Sequence, residues 1–164
     1  MKKLTFLFMF LAAINLQACT GNTAGGDNLA GGNKPAGSES SSADGQVVKL
    51  TAESFQKLIW DYKKSPQEWV FKGDQPVIID FYADWCRPCR MIAPIMTELS
   101  QEYKGKIRIY KVNTDEQREL ASIFNISSIP AILYIPKDGK PQMSVGAQQK
   151  EGYVEMIKTI LKVQ

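Results

Sequence analysis

Residues 77–82, Val-Ile-Ile-Asp-Phe-Tyr, are almost continuously apolar and end four positions before a Cys86-Arg-Pro-Cys89 sequence, after which the pattern changes to helical spacing. A strand of this kind is covered on both faces, as the central strands of α/β proteins are. The helix that follows carries Ile92, Met96, Leu99 and Tyr103 at steps of four, three and four, with Pro94 expected to bend it. A buried strand leading through a Cys-x-x-Cys into an amphipathic helix therefore fixes both an architecture and a place for chemistry. Asp80 stands out in the strand, because a carboxylate there is costly unless paired or functional.

The remaining elements complete an α/β reading. Val47–Leu50 reads as a short strand, and Thr51 to Ser54 opens a helix with Phe55, Leu58 and Ile59 on one face. Residues 60–75 contain Trp60, Tyr62, Trp69 and Phe71, too aromatic for a plain linker, and Pro66 is expected to break the helix. This stretch is read as packing on the domain surface, with a recognition patch as the alternative. Strands follow at 107–112, 131–135 and 142–145, the last two joined by the turn Lys137-Asp-Gly-Lys140, with a short helix over 116–124. A final helix over 153–161 turns Val154, Ile157, Ile160 and Leu161 inward. The sum is a mixed central sheet flanked by helices, one domain over 47–164.

The first 46 residues are of another kind. Lys2 and Lys3 precede a thirteen-residue apolar run, Leu4 to Leu16, shorter than the roughly 20 residues a bilayer helix needs. Residues 1–18 are read as a signal peptide. The run closes on Leu16-Gln-Ala-Cys19, which resembles the lipobox of bacterial lipoproteins, Gln17 departing from the small or aliphatic residue common there. Lipidation of Cys19 also removes a free thiol from an oxidising compartment, and several acyl chains suffice for stable attachment. Residues 20–46, with seven Gly and four Ser, cannot offset their ordering entropy and read as a flexible tether. No acidic pair follows Cys19, so nothing argues for display on the outer face of the cell.

Composition narrows the chemistry. A formal charge of +3 argues against nucleic acid as a partner, and the absence of His removes imidazole bases and His-ligated metals. A zinc site would need a second Cys pair or His, so no metal and no cofactor is expected. Cys86 at a helix N-terminus gains free N–H groups and the helix dipole, which favour its thiolate and make it the attacking sulfur. Cys89, one turn inside and shielded behind it, would resolve the mixed disulfide. Pro88 restrains the loop, Arg87 adds positive charge that favours the thiolate, and Trp85 is expected to shield the site and contact extended substrates.

Val77 to Cys89, Pro94, the Lys-Val-Asn-Thr-Asp run at 111–115, Ile129-Pro130 and Val145-Gly-Ala147 together resemble the thioredoxin family, over residues 47–164. The resemblance implies the thioredoxin fold and dithiol–disulfide exchange, with Cys86 the nucleophile and Cys89 the resolving thiol. It makes Asp80 the carboxylate that takes the Cys89 proton, and Lys111 the cation that tunes it. It makes the Ile129-Pro130 peptide cis, with the backbone of both residues beside Cys86 to pair with a substrate chain. Gly146 would let that chain approach closely. Arg87 in place of a common glycine, Ala131 in place of a common threonine, and the extra residues between Phe55 and Pro76 are departures. With the lipobox and tether, the chain resembles a cell-envelope thioredoxin-like lipoprotein of bacteria, periplasm-facing and monomeric. It would act on disulfide-containing envelope proteins and take electrons from a membrane thiol–disulfide donor, because NADPH-dependent reductases are cytoplasmic. Two other readings compete with a general envelope reductant. One is a dedicated reductant for apocytochrome c maturation, with 60–75 as its client patch; the other is a redox-silent binding or chaperone module, which retention of both cysteines, Asp80 and Pro130 disfavours.

Overall fold

The computed structural model describes residues 44–164. The signal peptide, the lipidated Cys19 and nearly all of the tether lie outside the described residues. Asp44, on the tether side of the expected boundary, already accepts a hydrogen bond from the Gly105 N–H at 2.8 Å.

Nine elements follow in order: β1 (Val47–Lys49), α1 (Ala52–Leu58), β2 (Val77–Tyr82), α2 (Arg87–Glu102), β3 (Arg108–Asn113), α3 (Arg118–Ile123), β4 (Ala131–Ile135), β5 (Gln142–Val145) and α4 (Lys150–Thr159). The strands form one mixed sheet in the order β1-β3-β2-β4-β5. β3 pairs parallel with β1 and β2, and β4 pairs antiparallel with β2 and β5. β2 is thus central, and five of its six residues are buried.

Alternation along the strands divides the core into two layers. Val77, Ile79, Phe81, Tyr110, Val112 and Leu133 face Phe55 of α1 and Leu120 of α3. Ile78, Ile109, Ile132 and Tyr134 face Ile92, Met96 and Leu99 of α2 and Tyr153 and Ile157 of α4. Burial of each such side chain stabilises the fold by about 1.5–3 kcal/mol relative to exposure. By the same parity Asp80 lies in the second layer, on the side of α2 and α4.

Several boundaries differ from expectation. α1 begins as the sequence indicates, with a capping box between Thr51 and Ser54, but it ends at Leu58, so Pro66 breaks nothing. Leu58 is 43% exposed rather than inward, because it is the last helical residue before the chain turns. β1 stops one residue early, and β3 is shifted one residue towards the C-terminus. α3 is shorter than expected at both ends, its N-cap Gln117 making no side-chain cap bond. α4 starts three residues before the expected Tyr153 and ends before Leu161, which is nonetheless buried. Pro94 lies inside α2, which continues through it to Glu102.

Residues 60–75 pack on the domain. Tyr62 is buried in the core layer under α1, and Trp60, Trp69 and Phe71 pack against it. The Trp60 and Trp69 rings lie 5.1 Å apart, and Trp60 Nε1 donates to the Glu68 carbonyl at 2.8 Å. The aromatic side chains are turned inward, and Val70 is the large apolar residue of this stretch left exposed.

Candidate active site

The second layer ends, beyond β2, in a small cluster of Ala83, Cys86 and Cys89, against which Tyr82 and Ile129 pack. Cys86 is the N-cap of α2, with extended backbone, and its sulfur accepts from the Cys89 N–H at 3.2 Å. Pro88 falls in the first turn of α2, where a missing N–H leaves no helical bond unmade. Cys89 sits one turn in, on the core-facing row that continues through Ile92, Met96 and Leu99. The two sulfurs are joined in a disulfide of 2.00 Å. In this oxidised form Cys86 and Cys89 are each 3% exposed, so the expected shielding of Cys89 behind Cys86 is not a difference in burial. The asymmetry is one of position, since only Cys86 stands at the cap where free N–H groups point at sulfur.

Trp85 stands immediately before Cys86. It is 69% exposed, and its Nε1 donates to Asp115 Oδ2 at 2.9 Å. That bond begins a chain the sequence did not suggest. The Asp115 N–H donates to Asn113 Oδ1 at 2.9 Å, Asn113 Nδ2 donates to Asp84 Oδ2 at 3.3 Å, and Arg90 Nη1 donates to the Asp84 carbonyl at 2.8 Å. The loop before Cys86 is thereby tied both to the end of β3 and to α2. Asn113 is buried, so its paired amide is the fixed centre of this chain. Arg87 is exposed and makes no ion pair among the described residues.

Asp80 and Lys111 lie opposite each other in register on β2 and β3. Asp80 is 4% exposed, and its Oδ1 has no hydrogen-bond partner among the described residues. Burial pushes its carboxyl up and the nearby Lys111 charge pulls it back only in part, which leaves it at about 7. The Lys111 ammonium rests 5.7 Å from the centre of the Tyr82 ring, two residues along β2 on the same face. Asp80 and Cys89 thus look into one layer, from the C-terminal half of β2 and the first turn of α2.

The Ile129-Pro130 peptide is cis. Ile129 packs against the cysteine cluster, and the Pro130 carbonyl accepts from the Gly146 N–H at 2.8 Å. Gly146 has φ +96°, and a Cβ placed there would meet no atom within 4 Å. Glycine is therefore required by the backbone conformation, and the space above it is open. Ala131 is fully buried in the first layer. The structure thus gathers Cys86, Cys89, Ile129, Pro130 and Gly146 at one end of the sheet, with Asp80 and Lys111 beneath. No group of His, Cys, Asp and Glu that could hold a metal occurs among the described residues.

A model of the thioredoxin family matches residues 46–159. A thioredoxin of Borreliella burgdorferi is 47% identical over 112 residues, covering 68% of this chain and 95% of its own length. An M-type chloroplastic thioredoxin of Spinacia oleracea is 37% identical over 115 residues, covering 70% of this chain and 64% of its own. Among solved structures, chloroplastic thioredoxin z superposes with a TM-score of 0.58 at 24% identity, over 72% of this chain and 96% of its own.

Proposed function

The chain belongs to the thioredoxin family and is a thiol–disulfide oxidoreductase; on that footing we propose that it is a membrane-tethered reductant of disulfides in cell-envelope proteins, working through Cys86 and Cys89. The observation that carries this reading is the placement of Cys86 at the cap of α2 beside a cis Ile129-Pro130 peptide, with a buried carboxylate in the layer beneath.

In the reduced protein the Cys86 thiolate attacks one sulfur of a substrate disulfide. A sulfur–sulfur bond forms to Cys86, and the other substrate sulfur leaves as a thiolate that takes up a proton. Cys89 then gives its proton to Asp80 and attacks Cys86, forming the 86–89 disulfide and releasing the second substrate thiolate. Two electrons have passed from the protein to the substrate. The backbone of residues 129–130 and the open face at Gly146 would pair with the substrate chain meanwhile. Trp85, Arg87 and Pro88, all exposed at the rim, would meet its side chains. The cycle closes when a membrane thiol donor returns two electrons to the disulfide.

Cys19 lipidation would hold the domain at the periplasmic face of a membrane through the tether. No helix among the described residues is long and apolar enough to cross a membrane. Cys19→Ser, expressed in a bacterial host, is expected to shift the protein from the membrane pellet to the periplasmic extract; retention in the pellet would sink the lipid anchor. A dedicated apocytochrome c reductant gains no support from residues 60–75, whose aromatic side chains are occupied within the fold.

Direction is tested by the reduction potential of the 86–89 pair, with the protein equilibrated in thiol–disulfide buffers, alkylated and weighed. A value near that of thioredoxin, about −270 mV, is expected for a reductant. One near that of a strong periplasmic oxidant, about −120 mV, would make the protein a disulfide donor.

A further inference from the structure

Tyr153 is fully buried on the first turns of α4, among Ile78, Ile132 and Met96, where a wholly apolar side chain would serve packing equally well. Its hydroxyl is not idle. It accepts a hydrogen bond from the Gln148 N–H at 3.0 Å. Gln148 lies two residues beyond Gly146, whose own N–H donates to the Pro130 carbonyl at 2.8 Å. A continuous path of short contacts therefore runs from the core of α4, through the 146–149 segment, to the cis peptide against which the cysteine pair packs.

Other contacts hold the same segment to α4. The Gln148 side chain lies so close over Gly152 that a Cβ there would stand 2.5 Å from Gln148 Oε1. The Gly152 N–H donates to the Gln149 carbonyl at 3.1 Å. Lys150, the first residue of α4, reaches Glu98 Oε1 at 2.7 Å and Glu102 Oε1 at 2.5 Å on α2, the helix that carries both cysteines at its other end. α4 has no side-chain N-cap, and Gln149 makes none. Its N-terminus is instead committed to this segment and to α2.

We infer that Tyr153 is a positioning residue for substrate, its hydroxyl pinning the 146–149 segment so that the open backbone face at Gly146 keeps its register with Ile129-Pro130. This rests on the reading of Gly146 and Pro130 as the surface that pairs with a substrate chain. A buried phenol gives a fixed acceptor, and desolvation raises its pKa, so it stays protonated across the physiological range. The pin acts on substrates that present a backbone to this surface. It has no purchase on a small disulfide that lacks one.

Tyr153→Phe removes the hydroxyl and leaves the ring in the core. With insulin as the protein disulfide and dithiothreitol as the reductant, KM is expected to rise about threefold to tenfold, the range one lost hydrogen bond supplies, with kcat retained. The second-order rate of the pre-reduced variant with 5,5′-dithiobis(2-nitrobenzoate) and the potential of the 86–89 pair are expected to stay at wild-type values. An unchanged insulin KM would overturn the inference, as would an equal loss against the small disulfide or a displaced potential, since these place the effect in the cysteine pair or in general packing. A wild-type protein inactive on both disulfides would instead sink the oxidoreductase reading itself.

Discussion

Cys86→Ser is expected to leave no measurable reduction of a protein disulfide, a loss of at least about a thousandfold, whereas Cys89→Ser should stop the reaction halfway and accumulate a covalent adduct with the substrate. The difference follows from where the two sulfurs sit. Cys86 is the N-cap of α2, and its sulfur already accepts the Cys89 N–H; a thiolate there gains that bond and the helix dipole. A serine hydroxyl cannot ionise usefully at neutral pH and forms no bond to sulfur that a thiol can later resolve. Cys89 in the Cys86→Ser variant does not substitute for it, lying one turn inside the helix and away from the cap that favours a thiolate. With Cys89→Ser the first exchange proceeds, and the bond between Cys86 and substrate persists. Non-reducing electrophoresis should show that adduct as a heavier species that dithiothreitol abolishes. Residual turnover in the Cys86 variant, or failure of the Cys89 variant to form the adduct, would reverse or remove the assigned roles.

The parts of this arrangement differ in how far they could be read from the chain alone. β2, β4 and β5 match their expected bounds because burial on both faces, or a Gly-containing turn between paired runs, leaves little choice of start and stop. The helix boundaries were less legible where tertiary contacts set them. α4 begins with Lys150, Glu151 and Gly152, which show no apolar spacing; its first residue instead makes ion pairs to α2. Leu58 keeps helical spacing with Phe55, yet α1 ends under it and leaves it exposed. Within the site, the cysteines and Asp80 announced themselves, the first by spacing and the second by its apolar neighbours. The cis peptide came only from the family resemblance, since X-Pro bonds are cis in only about 5% of folded cases. The Trp85–Asp115–Asn113–Asp84 chain gave no local signal, because each polar residue alone reads as an ordinary turn residue. Tyr153 gave none either, since a tyrosine on an inward helix face reads as packing until its hydroxyl is seen to have a partner.

Asp80→Asn should stabilise the oxidised protein above pH 7, by on the order of 3–4 kcal/mol, and slow its reductase cycle. Burial raises the Asp80 carboxyl from 3.8 to about 7, with Lys111 opposing. The fold therefore binds a proton here that the unfolded chain releases. The stability contributed by the protonated group is fully present below about pH 4 and is lost as pH rises through about 7, where the native state must hold a charge in the core. A displacement of about three units, in which the Lys111 attraction is already contained, is worth about 4 kcal/mol at 1.36 kcal/mol per unit, and solvent relaxation trims what is realised. Asparagine keeps the size and never ionises, so urea midpoints of wild type and variant should converge near pH 4 and separate progressively up to pH 8. Measuring the disulfide form keeps cysteine ionisation out of the comparison. A constant gap across that range would mean the effect is packing rather than charge. In the proposed cycle the catalytic consequence has the opposite sign, because Cys89 would lose its proton acceptor at the resolving step. Turnover of a protein disulfide at pH 7 should fall about tenfold or more, with the mixed disulfide on Cys86 accumulating transiently. Equal turnover at pH 7 would show that Cys89 loses its proton by another route.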